Sequence, residues 1–144
     1  KVSKGLLQEF GEMRVVDKAV HDVLWGAFVS CGQRCSGTAV ALVEDGIFEA
    51  FEARLKEKLA GIKVGDPLED GTFMGPLVSG PARERYLASL SAAEQERSIV
   101  TLQACQALPG KHGAYVTTSL HRIEEPRGLA YETEELFGPD LAIE

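Results

Sequence analysis

Apolar side chains at Met13, Val16, Val20, Val23, Leu24 and Ala27 recur every three or four positions. That spacing predicts a helix over roughly residues 12–29 with one buried face, broken at Ser30-Cys31-Gly32. Ala39 to Val43 is short, apolar and bounded by Gly37 and Asp45-Gly46, which fits a buried strand. Phe48, Phe51, Leu55, Leu59 and Ile62 mark a second helix, with Lys56, Lys58 and Lys63 near its C-terminal end, where cations are favoured. A loop runs from Gly65-Asp66-Pro67 to Gly75-Pro76. A third helix starts near Ser79, takes Pro81 in its first turn and carries Tyr86, Leu87 and Leu90. Ile99–Leu102 and Tyr115–Leu120 read as strands separated by the turn Pro109-Gly110-Lys111-His112-Gly113. Glu132–Phe137 reads as a short helical turn stopped by Gly138-Pro139, and Leu141–Ile143 as a last strand. Strands alternating with helices predict an α/β fold, a largely parallel sheet flanked by helices.

Composition adds bounds. At 144 residues the chain fits one domain, 1–144, with room for one core. Its net charge of -7 sets it against phosphate backbones and anionic membranes, so neither nucleic acid nor membrane is an expected partner. No apolar run is long enough to span a bilayer, and Lys1–Gly11 has no apolar core of a signal peptide. The cysteines are three, Cys31, Cys35 and Cys105. An odd number without a secretion signal predicts reduced thiols and a cytoplasmic location. Cys31 and Cys35 lack the partners a zinc site needs, so no metal is expected. His21, His112 and His121 fit no catalytic pattern and are expected at the solvated surface. Lys1 in place of Met, and a final strand that stops short, suggest a piece of something larger.

Three local patterns carry chemistry. Phe28-Val29-Ser30-Cys31-Gly32-Gln33-Arg34-Cys35-Ser36 contains Gly-Gln-x-Cys at a helix end. Gly65-Asp66-Pro67 is followed by Thr72-Phe73-Met74-Gly75-Pro76-Leu77-Val78. Glu134-Glu135-Leu136-Phe137-Gly138-Pro139 comes third. In this order they resemble the nucleophile signature, the Gly-Asp-Pro and Gly-Pro-Leu segments, and the cofactor-side Glu-Glu-Ile-Phe-Gly-Pro segment of the aldehyde dehydrogenase superfamily. The residues before the signature and Phe73-Met74-Gly75 are similar to the succinylglutamate-semialdehyde dehydrogenase branch.

The resemblance implies part of a catalytic domain, without the cofactor-binding domain. It implies oxidation of a small aldehyde to a carboxylic acid with NAD or NADP, in a protein that forms a homo-oligomer at full length. Cys35 would be the nucleophile, because a thiolate adds to an aldehyde most readily. Glu135 would bind the cofactor ribose, since a carboxylate can accept from both hydroxyls, and Phe137 would pack beside it. Each has a plainer alternative. A cysteine in an apolar stretch is commonly a small core residue. Glu135 could be an anion in a helix's first turn, and Phe137 could belong to the core. Cys31 and Cys105 read as core or surface thiols.

Three features depart from the family pattern. Ungapped, the general-base segment falls on Lys1-Val2-Ser3-Lys4-Gly5, with Lys1 where the base would be. No asparagine occurs in the chain to supply a side-chain amide to an oxyanion. No Gly-x-Gly-x-x-Gly loop follows a strand. The isolated chain is therefore expected to turn over little. Two other readings stay open: a degenerate, non-catalytic module with an assembly role, and a cofactor-free acyl-transfer activity of Cys35.

Overall fold

The computed structural model describes residues 12–108 and 113–144. Lys1–Gly5 and most of the 109–113 turn, His112 included, lie outside the described residues.

The first helix, α1 (Glu12–Phe28), ends where the periodicity does. Val16, Val20, Leu24, Ala27 and Phe28 are buried along one face. A 3-10 turn, Asp45–Ile47, leads into α2 (Phe48–Leu59), which buries Phe51, Leu55 and Leu59. The helix stops three residues before Ile62, in turns at Ala60–Ile62. Lys63 therefore stands beyond it and reaches Glu69 at 3.5 Å. In α3 (Gly80–Ala93), Ser79 is the N-cap and its Oγ accepts from Ala82 N at 3.2 Å. Pro81 sits in the first turn, where a missing N–H costs nothing.

Four strands form one sheet: β1 (Val40–Ala41), β2 (Ile99–Gln103), β3 (Ser119–Ile123) and β4 (Asp140–Ile143), in the order β1-β4-β3-β2. The β1–β4 and β3–β4 pairs are parallel, and β2–β3 is antiparallel. Successive side chains on a strand face opposite sides, and partners confirm which helix covers which side. Arg122 donates to Glu52 of α2 at 3.1 Å, so α2 lies over the face of Leu120 and Arg122. Tyr86 of α3 bonds Ser119 Oγ at 2.8 Å, so α3 covers the opposite face. Leu120, Leu141 and Ile143 are fully buried in the core shared with α1 and α2.

Four expectations change. The strand expected over Ala39–Val43 is shorter, Val40–Ala41, and is not fully buried: Ala41 and Val43 pack against the core, but Val40 and Leu42 are 39% and 58% exposed, because it is a sheet edge paired with β4. The strand expected at Tyr115–Leu120 lies later, at Ser119–Ile123. Residues 114 and 116 instead make single bridges to Leu77 and Ala107. The expected turn at Glu132–Phe137 is a single helical turn, α4 (Ala130–Thr133), after which Glu134 is extended. Glu135 is thus in no helix, and the first-turn explanation for it falls. Finally, His121 is fully buried, not at the surface.

Candidate active site

The chain leaves α1 through two consecutive left-handed residues, Cys31 (φ 56°) and Gly32 (φ 64°). Glycine takes this conformation freely, and Cys31 adopts it at a cost. The reversal turns the Cys31 thiol inward, where it donates to the Gly75 carbonyl at 3.3 Å. Burial pushes that thiol's pKa up, partly offset by this bond. Gln33 Oε1 accepts from Val78 N at 2.9 Å. The loop after α1 is therefore tied at two points to the Gly75–Val78 segment. Pro67 packs against Gly75, where a Cβ would stand 2.8 Å from its Cγ.

The third pattern docks on the same loop. A Cβ on Gly32 would lie 1.9 Å from the Gly138 carbonyl oxygen, and one on Gly138 would lie 2.2 Å from Tyr86 Cδ2. Both positions admit no side chain, so the backbones touch and Tyr86 closes over them. Phe137, with φ 51°, reverses the chain just before this contact.

These contacts leave an open cleft lined by Arg34, Cys35, Thr38, Glu135, Phe137 and Asp140, among others. Cys35 is exposed, in contrast to buried Cys31 and half-buried Cys105. The Glu135 carboxylate is exposed and has no side-chain partner among the described residues. Phe137 is 38% exposed, so it is not a core residue. The three residues singled out from the sequence thus share one cleft, although a hundred positions separate them.

Sequence reasoning missed a polar cluster behind the cleft. Asp140 Oδ1 accepts from Ser119 Oγ at 2.6 Å and pairs with His121 Nδ1 at 2.9 Å. Its Oδ2 accepts from Tyr131 OH at 2.7 Å. His121 Nε2 is buried, with no partner among the described residues. Desolvation, then the Asp140 charge, drives the Tyr86 and Tyr131 phenols well above their ordinary pKa, so both stay neutral donors. No local spacing links residues 86, 119, 121, 131 and 140, and only the hydrophobic reading of β3 could have hinted at His121.

Residues 12–144 match the family described as "Aldehyde dehydrogenase family". The chain belongs to the aldehyde dehydrogenase family. It is 35% identical over 130 residues to betaine aldehyde dehydrogenase 2 of Rhizobium meliloti (strain 1021), covering 89% of this chain and 26% of that protein. It is 36% identical over 131 residues to 2-hydroxymuconic semialdehyde dehydrogenase of Pseudomonas putida, covering 86% of this chain and 26% of the relative. The structure superposes on methylmalonate-semialdehyde dehydrogenase from Oceanimonas doudoroffii with a TM-score of 0.80 at 26% identity, covering 89% of this chain and 27% of that one. For betaine aldehyde dehydrogenase from Staphylococcus aureus in complex with NAD+, the TM-score is 0.79 at 25% identity, with 88% and 25% covered. The chain spans about a quarter of the length of the aldehyde dehydrogenases it matches. Among the described residues, no helix is long and apolar enough to cross a membrane.

Proposed function

We propose that the complete protein oxidises an aldehyde to a carboxylic acid with NAD or NADP. Cys35 is the nucleophile, and Glu135 and Phe137 hold the nicotinamide-ribose end of the cofactor. The observation that carries this reading is the shared cleft, lined by an exposed thiol, by a carboxylate with no side-chain partner among the described residues, and by an exposed aromatic ring. That donor set fits the cofactor's sugar and ring. A carboxylate accepts from vicinal hydroxyls, and an aromatic face packs against a flat heterocycle.

The bound nicotinamide would supply the hydride acceptor. Cys35 Sγ, as thiolate, adds to the aldehyde carbon to form a thiohemiacetal, and a backbone N–H at this turn stabilises the oxyanion. With that acceptor bound, transfer of the hydride to it would leave a thioester on Cys35. Water hydrolyses it, releasing the acid and restoring the thiol. The base for that water would come from sequence outside the described residues.

The test is aldehyde-dependent NADH or NADPH formation by the complete protein and its Cys35→Ala variant. Turnover is expected to fall on the order of a thousand-fold or more. Undiminished turnover would overturn the assignment of Cys35. Succinylglutamate semialdehyde is the first substrate to assay, given Phe73-Met74-Gly75. The same reading makes the complete protein a cytoplasmic homo-oligomer.

A second reading is favoured by Lys1 at the position the family gives to its base, and by the lack of asparagine. In it, the protein is a non-catalytic module with an assembly role. It expects the unaltered protein to be inactive with every aldehyde tried.

A further inference from the structure

The loop that brings Glu135 and Phe137 to the cleft has little to hold it. The helical turn before it, α4, is four residues long, buries none of them and has no side-chain cap at Leu129. A single turn does not sustain itself in water. Glu132 accepts from the Arg127 and Gly128 N–H groups, which ties α4 only to its own entry. Within Glu134–Phe137, Leu136 alone packs against the core. At the far end Gly138 is wedged between Gly32 and Tyr86. At the near end the turn packs beside α3, and Tyr131 is the side chain that bonds it to the sheet. Tyr131 donates to Asp140 Oδ2 at 2.7 Å, and its ring meets His121 edge-on at 5.2 Å.

Asp140 is well placed to hold it. It opens β4, is 8% exposed, and its other oxygen is fixed by Ser119 and His121 of β3. Tyr131 and Asp140 are nine positions apart, and the span between them contains both cofactor-side residues. A hydrogen bond to a buried carboxylate is stronger than one between neutral groups. Here it closes a short loop onto the sheet, so the ordering of that loop is settled before any ligand arrives.

We propose that the Tyr131–Asp140 hydrogen bond is a clamp that holds the Glu134–Phe137 loop against the Cys35 turn, with Tyr131 and Asp140 as positioning residues. Its consequence for cofactor binding rests on the dehydrogenase reading above; the clamp itself does not.

The experiment compares the complete protein with Tyr131→Phe, which keeps the ring and removes the hydroxyl. Hydrogen exchange is followed by mass spectrometry, and cofactor KM and kcat are measured in parallel. Amides of residues 132–134, which donate to the Leu129 and Ala130 carbonyls, are expected to exchange roughly ten-fold faster, with β3 and β4 unchanged. Cofactor KM is expected to rise roughly five- to ten-fold with kcat within about two-fold. A general structural defect would instead speed exchange across the sheet and lower kcat. Unchanged exchange at 132–134 would overturn the clamp, as would faster exchange throughout the sheet. Faster local exchange with an unchanged KM would overturn its role in cofactor binding. If the unaltered protein has no turnover, the dehydrogenase reading fails and the exchange measurement still decides the clamp.

Discussion

Gly32 shows how a single residue can join two distant patterns. Its φ of 64° is left-handed, and its missing Cβ lets the chain lie against the Gly138 carbonyl. An alanine there meets two costs at once, a strained backbone and a clash with main chain that cannot rotate away. Gly32→Ala is expected to lower stability by about 2–4 kcal/mol, read from urea denaturation midpoints. A loss below about 0.5 kcal/mol would mean that the two loops do not touch as described. The sequence showed that glycine was needed here to turn the chain. It could not show the second need, because Gly138 is a hundred residues away and local spacing carries no record of it. His121 is the same lesson for polar groups. It reads as a solvated side chain along the chain, and it is buried beside Asp140 of another strand.

Elements with one apolar face were legible from spacing. The α1 and α2 helices follow their hydrophobic stripes, because burying such a stripe is what stabilises a helix of this length. Leu55 lies at the centre of α2 and is fully buried. Leu55→Ala is expected to cost about 2–5 kcal/mol, measured by thermal or chemical unfolding, since the cavity closes only in part. The strands were less legible. β3 runs past the expected end at Leu120 through His121 and Arg122, polar residues that Asp140 and Glu52 pair with. Within residues 115–118, more apolar and β-branched, Val116 makes a single bridge to Ala107, flanked by backbone bonds from Leu108 N to Tyr115 O and from Thr117 N to Gln106 O. β1 is apolar yet lies at an edge, a position that depends on strand order alone.

For the molecule as a whole, burial of thiols and phenols sets a pH limit. Desolvation raises Cys105 to about 11 and also raises Cys31 and Tyr86. In the unfolded chain these thiols ionise near pH 9 and the phenol near 10. Above about pH 9 the unfolded state therefore binds fewer protons than the native one, and stability falls as pH rises. It is expected to be fully present at pH 8 and to decline through about pH 11. Cys105→Ala should remove part of that decline, seen as a shallower fall in the urea midpoint between about pH 8.5 and 11. An unchanged slope would show that Cys105 does not contribute.

What the sequence determined by itself was local: two amphipathic helices, the capped start of a third, the places where the chain must turn, and three short motifs that point to one family. Each depends on residues within about one turn of helix or strand, which is the range over which spacing reports burial. The tertiary structure alone decided which strands are neighbours, that His121 is buried, and that Glu135 lies beyond the helical turn and lines the same cleft as Cys35. Those outcomes follow from contacts between residues far apart in the chain. A glycine packed on a carbonyl, or a carboxylate bonded by three side chains from two other segments, leaves no periodic trace in the sequence that encodes it.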